Sequence, residues 1–429
     1  MRRRLRAEDL EDMEITLNSA ARKRLAIGAG ALLCIVYLLL AGRLVVASWL
    51  GERPELSSLQ RAARLDPRNA DYRNHLGRYY ALVARDPAAA IEPYRAAVDL
   101  NPHASRYWFD LASAYQVLGD LSHQSWALEH AIQADPTTPD VAWEAANFYL
   151  VQGEDQKALH EFHVVLENDP ALANAAIQYC WRIDPDPDAL LHDVVPARAE
   201  AYIAFLGLLM SKEETAATAK VWAALMATSQ TFEARYVYAY IQYLFDHKDV
   251  EQARLVWQQA APRFGLSAYM PTGRNLIVNG DFSLDVLNGG FDWQYEKQPS
   301  VNLNLDPSDF HGGRRSLLIT FDGPGVRDAG IRQFIAVQPN TEYEFTAYYK
   351  NGEIEGAGGP HFTIQDAYNR EVLYDSDELK EAGFWKSASG KFTTGADTRL
   401  VVLHVRRVPE GSPIRGKLWI DDFHLTAKR

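Results

Sequence analysis

At 429 residues the chain exceeds one ordinary hydrophobic core, which stops growing at about 250–300 residues, so two or three domains are expected. A formal net charge of -12, with no Lys/Arg run outside the N-terminus, argues against nucleic acid as a partner. Only Cys34 and Cys180 are present, and Cys34 lies in an apolar stretch, so the fold must stand without disulfides, which suits the cytosol and a bacterial envelope alike.

The chain opens on a basic stub, 1–24, that carries Arg2, Arg3, Arg4 and Arg6 and then Arg22, Lys23 and Arg24. From Leu25 to Gly42 no charge interrupts the apolar run, which as a helix rising ~1.5 Å per residue nearly matches a ~30 Å hydrocarbon core. A transmembrane signal anchor over 25–50 is therefore predicted, with Arg43 snorkelling and Trp49 at the interface. The basic flank places the N-terminus in the cytoplasm and the rest of a single-pass chain in the periplasm or outside the cell. A cleaved signal peptide ending near Val45-Val46-Ala47 is the competing expectation, but its apolar run would exceed the usual ~7–15 residues.

Next come Pro67, Pro102, Pro136 and Pro170, each after an Asp or Asn, and the last three recur with the period of stacked helical hairpins. Ahead of them lie one-faced stripes: Ala90, Tyr94 and Ala97; Leu128 and Ala131; Ala158, Phe162 and Val165. In the preceding helices Leu76, Gly77 and Tyr80, then Trp108, Leu111, Ala112 and Tyr115, then Ala145, Ala146 and Tyr149 make the same stripe, with Gly119-Asp120 and Gly153 as turns. An extra residue near Asp86-Pro87 accounts for the longer first gap. This pattern resembles the tetratricopeptide repeat, which implies an all-α superhelix over 54–264 with a groove for a protein partner. Arg73, His75, Tyr79, Gln116 and Asn147 are groove candidates, although a solvated helix face explains each as well.

After a linker at 265–274 the chain turns strand-like, with IRQFIAV, TEYEFTAYY, HFTIQD, RLVVLHVRR and KLWIDDFHL separated by turn clusters, which predicts an antiparallel sandwich. The opening NLIVNGDF, then Gly290-Phe291-Asp292-Trp293, and the closing LWIDDFHL resemble the galactose-binding-like jelly roll of carbohydrate-binding modules, over 275–426. The resemblance implies paired first and last strands and a sugar site on one concave sheet. Strand alternation turns Tyr343, Phe345, Ala347 and Tyr349 inward with Val401, Leu403 and Val405, leaving Tyr348, His404 and Arg406 outward. Gln365 from a neighbouring strand, with Phe310 and His311 from a loop, completes a candidate glycan face, set against the bland account that these are solvated sheet positions. The family also implies a structural calcium on Asp281, Asp421 and Asp422, although Ser283 stands where an acidic ligand is common.

No phosphate-binding loop or nucleophile elbow occurs in a strand-to-helix setting, and His160-Glu161-Phe162-His163 has the wrong spacing for a zinc helix. The expectation is thus a non-enzymatic, membrane-anchored scaffold of the bacterial envelope. Its repeats hold a protein and its sandwich touches polysaccharide. The alternative is a purely protein-binding assembly factor for a membrane complex, with a structural sandwich.

Overall fold

A long apolar helix, α1 (Ala20–Gly51), leads the computed structural model, which describes residues 19–380 and 382–428. Arg2 to Arg6 and the rest of 1–18 lie outside the described residues. The chain divides into two compact units, 1–172 and 173–429.

In the first unit, Ser19 caps α1 by accepting the Arg22 N–H, and α1 is long and apolar enough to cross a membrane by length and composition. Its last turns are not free surface. Ala47 packs with Ala62 and Ala63 of α2 (Leu56–Leu65) and with Tyr72 of α3 (Ala70–Arg78). A Cβ on Gly51 would meet the Tyr72 ring at 2.4 Å, and His75 Nδ1 bonds the Gly51 carbonyl at 3.2 Å. α1 thus ends at Gly51 packed against α2 and α3, and residues 52–55 lie outside any helix before α2 begins.

Four helices in two hairpins follow α4 (Pro87–Leu100): α5 (Ser105–Leu118) with α6 (Leu121–Ala134), and α7 (Pro139–Gln152) with α8 (Asp155–Asn168). The predicted stripe residues are buried, from Ala90, Tyr94 and Ala97 through Trp108, Leu111 and Tyr115 to Ala158, Phe162 and Val165, except Tyr80, which is half-buried. Gly119 and Gly153 close α5 and α7, each at φ +74°, where any other residue would be strained. The extra residue of the first repeat falls earlier than Asp86-Pro87, in a π turn at Tyr79–Val83, since a wider turn accommodates one insertion without breaking the helix. Two groove candidates are spent locally: His75 on Gly51, and Asn147, whose amide donates to the Trp143 carbonyl.

The second unit begins with α9 (Ala173–Ile183), the short α10 (Pro187–Ala189), α11 (Ala199–Ser211), α12 (Thr215–Ala227), α13 (Ala234–Asp246) and α14 (Val250–Arg263). Ten strands then form two antiparallel five-stranded sheets. The first is ordered β1-β4-β9-β6-β7, from β1 (Gln294–Tyr295), β4 (Asp328–Ala336), β9 (Leu400–Val408), β6 (Gly359–Asp366) and β7 (Val372–Asp375). The second is β2-β3-β10-β5-β8, from β2 (Val301–Asp306), β3 (Ser316–Gly323), β10 (Ile414–Ala427), β5 (Glu342–Gly356) and β8 (Lys386–Thr393). Inward residues of both fill one core, including Phe345, Tyr349, Val401, Leu403 and Val405 as alternation predicts. NLIVNGDF is not the expected first strand. Asn279 and Phe282 adopt φ of 49° and 48°, which breaks extension, and the segment meets β10 through the backbone bonds Leu276 N–H to Leu425 O and Phe423 N–H to Gly280 O, through the Asn275 amide, which donates to Phe423 O and accepts from Leu425 N–H, and through the Phe282 ring against Phe423.

Residues 265–274 are not a free linker, since the sandwich packs on the last helices. The Phe245 ring of α13 lies 5.2 Å from Phe291 and 5.3 Å from Phe334 of β4. Gly289 and Gly290 press on Tyr238 and Trp257, whose indole donates to the Tyr269 carbonyl at 3.0 Å.

Candidate functional site

The six residues expected on one glycan face fall on two. Alternation decides which side of a strand a residue takes but not which sheet holds the strand. His404 and Arg406 on β9 share the outer face of the first sheet with Gln365 on β6, whereas Tyr348 on β5 lies on the outer face of the second, with His311 stacked on it at 3.6 Å. Phe310 stays exposed beside His311.

On the first sheet, register sets Gln294, Arg332, His404, Thr363 and Asp375 in one row across five strands, on the same side of the sheet, with Thr363 itself fully buried. Thr363 Oγ1 donates to Asp375 Oδ1 at 2.8 Å, and His404 Nδ1 donates to Asp328 Oδ2 at 2.7 Å. One step along, His361 lies opposite Arg406, and its Nδ1 donates to the Ser376 carbonyl at 2.6 Å. Carboxylate and carbonyl only accept, so each imidazole carries its hydrogen on Nδ1 and, when uncharged, presents Nε2 as a lone pair. Both Nε2 atoms are enclosed and meet no partner among the described residues. Enclosed polar atoms are nearly always satisfied, so this pair marks where a donor such as a hydroxyl is wanted. Arg406 is tied to Glu410 at 2.6 Å. Gln365 faces Val402, whose other neighbour Phe334 is taken by Phe245 and by the Arg332 guanidinium at 5.5 Å. This face is thus a polar strip bordered on one side by α13.

Thr363 and His361 were legible in HFTIQD, because Phe362 and Ile364 turn inward and leave the alternate positions out. Arg332 and Asp375 needed the register of β4 and β7.

The three carboxylates expected to hold calcium meet around the 310–314 loop, but as hydrogen-bond acceptors. Asp421 Oδ2 takes the N–H groups of His311 and Gly312 at 2.7 and 2.9 Å, and its Oδ1 takes the Asp422 N–H. Burial pushes the Asp421 carboxyl up to about 6 against those three donors. Asp281 accepts the Ser283 hydroxyl at 2.8 Å, and Asp422 Oδ2 accepts from His311 Nδ1 at 3.0 Å. Among the described residues no group of three or more acids, histidines or cysteines is placed to hold a metal. The residues as arranged do not fit a calcium cage, which wants six to eight oxygens; they clasp the loop instead.

Residues 274–409 match the family model described as a carbohydrate binding domain. The C-terminal sandwich is a carbohydrate-binding module. Among curated proteins none matches the chain. Of solved structures, one described as CBM4 is 16% identical, with 35% of this chain and 99% of that chain covered at a TM-score of 0.28. The CBM22-1 xylan-binding domain from Paenibacillus barcinonensis is 17% identical, covering 37% of this chain and 96% of its own at a TM-score of 0.25. MamA is 18% identical, covering 40% of this chain and 84% of that chain at a TM-score of 0.24.

Proposed function

We propose that this protein is a membrane-anchored, non-enzymatic scaffold whose module holds polysaccharide on the polar strip of the first sheet. The observation that carries the site is the pair of enclosed Nε2 lone pairs of His361 and His404, set beside Thr363, Asp375 and Arg332. Sugar hydroxyls donate to such lone pairs and accept from a guanidinium such as that of Arg332. Losing one such bond costs about 0.5–1.5 kcal/mol, and every 1.4 kcal/mol is tenfold in affinity. His404→Leu and His361→Leu, made in the full chain in detergent micelles, are each expected to weaken binding to its best polysaccharide several-fold. Affinity electrophoresis against xylan, β-glucan and extracted envelope polysaccharide reads this. Unchanged mobility shifts in both variants would remove the strip as the site, and no retention by any polysaccharide would remove the carbohydrate reading itself.

The helical pairs of 54–264 are read as tetratricopeptide-type repeats that engage a protein partner, supported by the recurrent stripe and by the glycine caps of α5 and α7. The absence of a recognisable catalytic motif in the sequence supports an organising role rather than a catalytic one.

Packing supports reading α1 as a retained anchor rather than a signal sequence that is removed. A helix of this length spans roughly 48 Å, about 18 Å more than the hydrocarbon core, and the surplus turns are those that bury Ala47 and Gly51. Cleavage after Ala47 would strip that contact from Ala62, Ala63 and Tyr72. Terminal sequencing of membrane-extracted protein is expected to read residues ahead of Leu25; a mature chain beginning near Ser48 would defeat the anchor. With the basic flank inside, the repeats and the module face the periplasm or the exterior.

A further inference from the structure

The outer face of the second sheet holds a group of aromatic side chains that the polar strip does not use. Register places Asn304, Leu318, Trp419 and Lys350 in one row across β2, β3, β10 and β5, and Tyr348 opposite Ser387 beside it. Leu418 and Ile420 are fully buried, so Trp419 between them points outward, where it is half-buried. Its indole N–H donates to Asp306 Oδ2 at 2.8 Å, and the Trp385 indole donates to Asp309 Oδ1 at 3.2 Å. Lys350 Nζ donates to Asp309 Oδ2 at 2.5 Å and lies 5.8 Å from the Trp419 ring centre. His311, parallel to Tyr348 within 12°, also lies 5.9 Å from Trp385.

One loop therefore organises the whole group. Asp306 and Asp309 fix the two indoles, and His311 covers one face of Tyr348 while its own N–H is pinned by buried Asp421. Rings held in place before a ligand arrives forfeit little entropy on binding. Phe310 and Phe384, 42% and 68% exposed, extend the aromatic surface at its rim. Exposed aromatic groups of this kind mark interaction sites.

We infer that this face is a second polysaccharide site, which stacks the apolar C–H faces of an uncharged glycan on Trp419 and Trp385. The occupant follows from the chemistry of the patch. Lys350 is already neutralised by Asp309, and the uncommitted polar neighbours, Asn304 and Ser387, are uncharged and exposed. Sugar rings need flat aromatic surface beside neutral hydrogen-bonding groups, which the patch supplies, with the exposed Lys417 at its edge along β10. The inference rests on the reading that the module binds carbohydrate, but not on the polar strip being the other site.

The test uses the full chain in detergent micelles with xylohexaose and a β-glucan hexasaccharide as probes, by calorimetry and tryptophan fluorescence. Two sugar molecules per chain are expected, with an emission shift contributed by Trp419 and Trp385. Trp419→Ala should remove one of the two sites, about tenfold or more in its affinity, while Trp419→Phe, which keeps a ring, should largely restore it. Binding should be insensitive to salt, as befits uncharged partners. His404→Leu should weaken the other site several-fold and leave the emission shift. If Trp419→Ala and Tyr348→Ala leave stoichiometry and emission unchanged, the second site falls and the first stands on His404. If Trp419→Ala abolishes all binding and His404→Leu none, the aromatic face is the site and the polar strip falls. A wild-type chain that binds neither these probes nor any envelope polysaccharide overturns both.

Discussion

Phe245→Ala is expected to destabilise the second unit by about 3–5 kcal/mol, the range for emptying a buried aromatic site, and to lower its Tm by roughly 10 °C. The ring is 2% exposed and meets Phe291 edge-on and Phe334 at 38°, so its loss leaves a cavity bounded by helix on one side and sandwich on the other. Neither wall closes the gap easily. Phe291 is flanked by Gly290, held at φ +62° against Trp257, and Phe334 is fixed in register opposite Val402. Thermal unfolding followed by circular dichroism reads the effect, with Phe384→Ala, at an exposed ring, as a control expected within about 0.5 kcal/mol. If Phe245→Ala leaves the melt unchanged, the module stands free of α13 and α14, and the first-sheet face has no helical border.

That border was the part of the fold least legible in the sequence. Stripes such as Trp108, Leu111, Ala112 and Tyr115 announce buried helix faces because periodicity is a local property, and these residues are buried. Alternation in TEYEFTAYY likewise separates Tyr348 from the core residues on either side of it. Pairing is not local. Nothing in β5 or β9 alone says that they belong to different sheets, so Tyr348 and His404 were placed together although they face away from each other. Trp419 was within reach, since it alternates with Leu418 and Ile420 in LWIDDFHL, but that segment was read as a family signature rather than as a pleat. Pro271-Thr272-Gly273 looks like a linker by composition; only Phe245, Tyr238 and Trp257, distant in sequence, reveal that the elements it joins are packed together.

Asp292→Asn is expected to flatten the pH dependence of the same unit and to make it more stable than the natural chain above about pH 7. Asp292 is fully buried; its Oδ2 accepts the Leu287 N–H at 2.8 Å, and its Oδ1 has no partner among the described residues. Burial raises the carboxyl from its ordinary 3.8 to about 7, against the smaller opposing effect of the Leu287, Trp293 and Asn279 hydrogen bonds. With the folded value above the unfolded one, the folded state holds the proton more tightly. The contribution is thus complete below about pH 4 and is lost as pH rises through about 7, at up to ~1.4 kcal/mol per unit and roughly 4 kcal/mol in all. The amide of asparagine accepts from Leu287 as the acid does and never ionises, so its urea midpoint should vary less over this window than that of the natural chain. Glu161 in the first unit, raised by burial to about 7, and Asp421, raised to about 6, contribute with the same sign. The comparison must therefore be the difference between the two chains at each pH, not either profile alone. A wild-type slope that persists undiminished in Asp292→Asn would assign the effect to Glu161 or Asp421. A slope that vanishes would place it between Phe291, which touches Phe245, and Trp293, whose indole donates to the Asn279 carbonyl. Ionising Asp292 then weakens the contact between helices and module, and mildly acidic surroundings hold the two together.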